Sequence, residues 1–106
     1  MRPSPDVVDL LLDHGAPLDV FAAAVLGRAD TIDALIAADP SLVHARGAGG
    51  YTPLHLAAWN GEADAAALLL DAEADVDARN GRGETPLALA VVYENEHSAR
   101  LDRRGE

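Results

Sequence analysis

Thr52-Pro53-Leu54-His55-Leu56-Ala57-Ala58 returns further along the chain as Thr85-Pro86-Leu87-Ala88-Leu89-Ala90. Thr caps a helix when its hydroxyl accepts a backbone N–H, and Pro suits the first helical position, where an N–H has no intrahelical partner. The Leu-x-Leu-Ala that follows is short and apolar, and its small residues let a second helix approach closely. A helix start that recurs at the interval from Thr52 to Thr85 is the signature of a stacked architecture, because one such unit cannot bury its own apolar face. The spacing therefore directs the search for function away from a catalytic pocket and toward a repeated surface.

Working outward, the middle unit reads Gly50-Tyr51-Thr52-Pro53-Leu54-His55-Leu56-Ala57-Ala58-Trp59-Asn60-Gly61, then Leu68-Leu69-Leu70, then Ala74-Asp75-Val76-Asp77-Ala78. A third unit opens with Gly83-Glu84-Thr85-Pro86-Leu87. An earlier, degenerate unit runs from Leu18 through Ala22-Ala23-Ala24 to Gly27, with a second helix near residues 30–38. Before it, Val7-Val8-Asp9-Leu10-Leu11-Leu12-Asp13-His14-Gly15-Ala16 has the form of the second half of a unit. These residues resemble the ankyrin repeat, whose pattern is Gly-x-Thr-Pro-Leu-His-x-Ala-Ala, a Gly, a Leu-Leu-Leu helix, then Gly-Ala-Asp. The resemblance implies an all-α fold: an ankyrin-repeat α-solenoid of stacked helix-turn-helix units with projecting β-turn loops, about three units with incomplete ends. It covers one domain over residues 1–106, with 1–17 a half repeat or N-terminal cap, 18–46 a degenerate repeat, 47–79 the well-matched repeat, and 80–106 a C-terminal repeat or cap.

The departures from the pattern carry information. Leu18-Asp19-Val20-Phe21 stands where Thr-Pro-Leu-His would be, so the second unit is expected to lack the usual helix start. Asp39-Pro40-Ser41-Leu42-Val43-His44-Ala45 lengthens the next turn by a single position, which accounts for Gly27 and Gly61 lying one position further apart than Thr52 and Thr85. Glu73 replaces the Gly that takes a left-handed conformation after the second helix, at some local strain. Ala88 replaces His in the third unit, and Glu94 replaces its mid-repeat Gly. Beyond Glu94 the tail is poor in apolar residues and is expected either to form a polar terminal helix or to fray.

Helices are predicted over residues 20–26, 30–38, 53–59, 62–72 and 86–93, with Gly-rich turns over 45–51 and 78–84. Ser4-Pro5-Asp6 reads as a further helix start, closed by Gly15 and Pro17. That leading half unit is expected to serve as an end cap, to mark a fragment, or to join another subunit through Val7, Val8, Leu10, Leu11 and Leu12.

Composition narrows the function. The 106 residues carry a formal charge of −10, every cation is Arg, and apolar residues make up 49% of the chain against 4% aromatic. A core of mostly Ala and Leu suits closely packed helices and leaves little room for an internal ligand cavity. An acidic chain is repelled by phosphate backbones, so neither nucleic acid nor an anionic membrane is expected as partner. A basic or mixed-charge protein surface is the expected partner instead, although the charge could equally serve solubility alone. The absence of Cys rules out disulfides, thiolate metal sites and Cys nucleophiles. No signal peptide is recognisable at the start, and no run reaches the roughly 20 apolar residues that span a bilayer. A cytoplasmic location is the default expectation.

Candidate chemistry is sparse, and no catalytic residue, cofactor or metal site is assigned. His14, His44, His55 and His97 show no i, i+4 pair and no Cys partner. His55 follows Thr-Pro-Leu, where the resemblance implies a structural ring that ties the turn together. Asp71, Glu73, Asp75 and Asp77 alternate as in a calcium loop, but the Gly and Glu that an EF-hand needs at its sixth and twelfth positions are absent. Gly47-Ala48-Gly49-Gly50 and Gly81-Arg82-Gly83 precede Thr-Pro and read as turn tips rather than phosphate cradles.

The resemblance implies that turn tips and the exposed side of each first helix line a concave surface where partner proteins dock. The residues at those positions are Ala48, Gly49, Tyr51, Trp59 and Asn60 in the middle unit, and Gly81, Arg82, Glu84, Val92 and Tyr93 in the third. The chain's one Trp and both its Tyr residues fall in this set, and such residues dominate interface energetics. A non-catalytic protein-binding module is the first expectation. Its rivals are a structural protein that self-associates through incomplete ends and a regulatory fragment of a larger enzyme.

Overall fold

The computed structural model describes Leu10, Gly15 and residues 19–105, with side chains described as far as Glu96. The reading of residues 4–14 as a capped helix, the placement of His14 and the side chain of His97 lie outside what is described. Among the described residues five α-helices follow in order: α1 Val20–Leu26, α2 Ala29–Ala38, α3 Pro53–Trp59, α4 Ala63–Asp71 and α5 Pro86–Gly105. A short 3-10 helix at Pro40–His44 follows α2, and another turn of the same kind at Ala48–Gly50 precedes α3. Among the described residues there is no strand. The all-α stack expected from the sequence is what forms.

Successive caps explain the stacking interval. Thr52 accepts the His55 N–H at 3.3 Å and Pro53 takes the first helical position of α3, while Thr85 accepts the Ala88 N–H at 3.3 Å before Pro86. The degenerate unit does not lack a start. Asp19 stands one full period before Thr52, and its carboxylate accepts the Ala22 N–H at 2.8 Å. A carboxylate takes the place of the missing Thr, because the cap needs only a side-chain oxygen at the correct reach. The turn from α1 to α2 is a single position shorter than that from α3 to α4. The extra residue that restores the total lies in α2, one residue longer than α4, rather than in the following turn, which matches its counterpart after α4 in length.

Inner helices α1, α3 and α5 lie side by side, with α3 packing on both neighbours, and outer helices α2 and α4 pack on α1 and α3 and on each other. The shared core is built from Ala23, Ala24, Ile32, Val43, Leu54, Ala57, Ala65, Leu69 and Ala74. Five of these nine are Ala, which brings helix backbones close together, and Ile32 and Leu69 supply the bulk. Each outer helix ends at a residue that breaks the right-handed path. After α4 this residue is Glu73, with φ 69, the one non-glycine residue with positive φ among the described residues, as the sequence led one to expect.

The third unit departs from the expected helix over 86–93 followed by an undetermined tail. It opens as a repeat and then continues as one helix, α5, through Gly105. Glu94 is the reason: it stands where Gly61 (φ 67) turns the chain in the middle unit, and Glu favours continuation where Gly favours the left-handed turn. Among the described residues, consequently, no second helix follows α5 to lie back against α4. Among the described residues no helix is long and apolar enough to cross a membrane.

Candidate functional site

The Gly-rich turns are held by a repeated device that composition alone does not reveal. Arg46 donates to the Gly50 carbonyl at 3.0 Å, and Arg79, at the same place in the next unit, donates to the Gly83 carbonyl at 3.0 Å. Arg46 also donates to the Arg79 carbonyl, clasping one turn to the next. The tips meet directly through the Gly81 N–H and the Gly49 carbonyl, at 2.7 Å. A Cβ on Gly81 would come within 3.0 Å of that carbonyl oxygen, so the close approach requires glycine.

Asn80 organises the second turn. Its side-chain oxygen accepts the N–H groups of Arg82 and Glu84, both at 2.9 Å, and its amide donates to the Glu84 carboxylate at 3.0 Å. Sequence reasoning missed Asn80, Arg46 and Arg79 as turn-makers. Their signal was their recurrence beside Gly: Arg46 and Arg79 precede Gly47 and Asn80-Gly81 at the same repeat position.

Of the aromatics, Tyr51 and Trp59 come together. Their rings stack with centroids 5.4 Å apart and planes 15° from parallel, and Tyr51 also meets the His55 ring edge-on at 5.8 Å. Trp59 lies on the last turn of α3 and remains 45% exposed. Beside the pair opens a hollow of about 490 Å³ lined by Phe21, Gly47, Ala48, Tyr51, Leu56 and Trp59. Phe21 on α1 and Leu56 on α3 are contributors that sequence reasoning did not single out. Phe21 fits because Gly47 presents no side chain to its ring.

The remaining candidates are distributed differently. Ala48, Gly49, Gly81 and Arg82 are exposed on the two turn tips, and Glu84 is half-buried with its carboxylate engaged by Asn80. Asn60 is exposed but its amide closes α3 by donating to the Leu56 carbonyl at 2.8 Å. Val92 is exposed on α5, at the position one period beyond Trp59. Tyr93 does not join Tyr51 and Trp59. It lines a separate hollow with Ala57, Gly61, Glu62, Ala66 and Ala90, over the turn between α3 and α4. One residue along a helix rotates the side chain by about 100°, which carries Tyr93 away from the face that Val92 occupies.

The described residues thus form an open aromatic hollow on a stack of helix pairs, with paired turn tips beside it. Among the described residues no group of three or more His, Asp or Glu side chains is arranged to hold a metal ion. The family model for ankyrin repeats in many copies matches residues 35–90, and the chain belongs to the ankyrin-repeat family. A probable E3 ubiquitin-protein ligase of Oryza sativa subsp. japonica, XBOS31, is 44% identical over 91 residues, which cover 82% of this chain and 20% of that protein. The E3 ubiquitin-protein ligase XB3 of the same plant is 46% identical over 71% of this chain and 17% of its own length. Human ankyrin repeat and SOCS box protein 18 is 47% identical over 71% of this chain and 16% of its own. The chain thus spans a fifth or less of these relatives. Ankyrin repeats are non-catalytic modules that mediate protein–protein interaction.

Proposed function

We propose that this chain binds a partner protein through the hollow between α1 and α3 beside the first Gly-rich turn, with Trp59 and Tyr51 as its anchors. The observation that carries the proposal is the stacked Tyr51–Trp59 pair, with Trp59 exposed and Tyr51 half-buried at the edge of an apolar hollow. Stacking holds each ring in place before contact, so little rotamer entropy remains to be lost on binding. The exposed turn residues Ala48, Gly49 and Arg82, with Glu84, Asn60 and Val92, supply the flanks. The formal charge of −10 favours a basic or mixed-charge partner over nucleic acid or anionic lipid. Two of the relatives are named as ubiquitin ligases, and within a longer protein of that kind the stack would recruit a protein to an activity housed elsewhere.

Affinity capture from native extract tests the reading, using the wild type, a Tyr51→Ala/Trp59→Ala variant, and Tyr93→Ala as the control on the other hollow. The proposal requires a partner that the wild type and Tyr93→Ala retain and the double variant loses. For a purified partner, Trp59→Ala alone should weaken binding by about 2 kcal/mol while leaving the thermal unfolding cooperative. A partner retained equally by all three would move the binding surface elsewhere.

A further inference from the structure

The C-terminal end of the stack leaves uncovered the positions that its middle covers. Val43 and Val76 stand one period apart, at the same place in successive turns. Val43 is 3% exposed, in one buried cluster with Ala65 and Leu69 of α4, whereas Val76 is 56% exposed. Leu54 of α3 is 4% exposed, and its counterpart Leu87 of α5 is 71% exposed. Val91, at the position of half-buried Ala58, is exposed as well. In the middle unit α4 lies against these positions, and among the described residues no second helix does so after α5, because Glu94 carries the helix straight on. What remains is an apolar groove of about 220 Å³ whose lining includes Leu54, Ala58, Ala66, Leu70, Val76 and Leu87.

The groove has the character of the site that receives a repeat's second helix, and another part of the chain has the matching sequence. Val7-Val8-Asp9-Leu10-Leu11-Leu12-Asp13 aligns with Ala65-Ala66-Ala67-Leu68-Leu69-Leu70-Asp71, placing Val7 and Leu11 at the fully buried positions Ala65 and Leu69. The alignment extends to the backbone beyond it: Gly15 (φ 92) and its counterpart Glu73 (φ 69) both take left-handed conformations. The chain's own tail is a poor occupant. Residues 95–105 contain only Ala99 and Leu101 as apolar side chains, and they already form the end of α5.

We propose that this groove receives the segment around residues 7–12 of a second copy of the chain, so that α5 of one molecule and the leading segment of the next complete one composite repeat. Charge in the sequence favours the same pairing: Asp6 and Asp13 flank the segment, Asp9 lies within it, and residues 100–104 include Arg100, Arg103 and Arg104. The two surfaces are different, so the contact is head-to-tail and leaves a free groove at one end and a free segment at the other. Such an interface extends into a series unless the rotation closes a ring. It makes no use of the Tyr51–Trp59 hollow, and the two readings stand or fall separately.

Sedimentation velocity of the full chain from about 10 µM to about 1 mM should show an average mass that passes twice the monomer. Leu87→Asp, at an exposed position, should keep its helical circular dichroism and weaken self-association at least about tenfold. Val8→Asp should do the same from the other end. Mixing the two variants should give a one-to-one dimer and nothing larger, because the pair has only one intact groove and one intact segment that can meet. A wild-type mass that stays at the monomer, or that stops at a symmetric dimer, would overturn the proposal. If Val8→Asp loses its helical signal, the chain's lack of cysteine permits an independent test with separate Val8→Cys and Val91→Cys variants. Mild oxidation of their mixture should yield the hetero-disulfide in excess over both homodimers, and no such excess counts against the composite repeat.

Discussion

The Nε2 of His55 lies 2.8 Å from the Glu84 carbonyl oxygen, so a side chain of the middle unit holds the backbone of the next. Its Nδ1 is 3.1 Å from the Thr52 N–H, which donates to it, and the Thr52 hydroxyl accepts the His55 N–H in return. A neutral ring with its proton on Nε2 satisfies both ends at once, a tautomer assigned from these partners. The ring is fully buried, so it acts as an internal strut and is shielded from metal or solvent.

Replacing His55 by Ala strands the Thr52 N–H and the Glu84 carbonyl and opens a gap under Tyr51. The expected loss is about 3 kcal/mol, read from urea unfolding. A loss below about 1 kcal/mol would mean that water replaces both hydrogen bonds.

Asp19 caps α1 with a single carboxylate oxygen. Asp19→Ala should cost about 1 kcal/mol, and Asp19→Thr should recover most of it, since the position is the equivalent of Thr52. Equal stability of the wild type and the Ala variant would show that solvent caps this helix as well as the side chain does.

Gly61 and Gly27 share positive φ but differ in surroundings. A Cβ on Gly61 would overlap the Tyr93 ring, whereas on Gly27 it would meet the carboxylate end of the flexible Glu62 side chain. Gly61→Ala should therefore destabilise more than Gly27→Ala, by about 1 kcal/mol or more beyond the shared backbone strain. Combining Gly61→Ala with Tyr93→Ala isolates the clash. Non-additivity in the relieving direction supports it, and strict additivity contradicts it.

Glu73 holds a left-handed conformation that costs a side-chain-bearing residue about 1 kcal/mol. Glu73→Gly should raise the melting temperature by a few degrees, roughly 4–8 °C per kcal/mol for a domain of this size. Glycine's greater freedom in the unfolded chain offsets part of the gain. A lower melting temperature would show that the Glu73 side chain makes a compensating contact.

Local chemistry was legible where it is written within a few residues. The Thr-Pro starts and the bounds of α1 and α3 follow from neighbours in sequence, because caps and turns are satisfied over three or four positions, whereas the His55 ring and the left-handed Glu73 were legible only through the ankyrin pattern they resemble. Asp19 was harder to recognise as a start because it performs the cap with a different residue type. Asn80 and Arg46 were missed because their partners are backbone carbonyls and N–H groups, which any residue could supply.

Tertiary structure decided which side chains share a face. Val92 and Tyr93 are adjacent in sequence and were expected on one surface, yet helical rotation sends Tyr93 over the Gly61 turn. Phe21 reaches the Trp59 hollow from another helix across a contact no local pattern encodes. Likewise, Glu94 in place of a glycine was visible in the sequence, but not its consequence: a helix that runs straight on and leaves Leu87 and Val76 exposed. The sequence by itself determined the repeating unit, since capping and periodicity are short-range. Only the packed stack determined the surfaces, since burial depends on whether a neighbouring helix is there to cover a position.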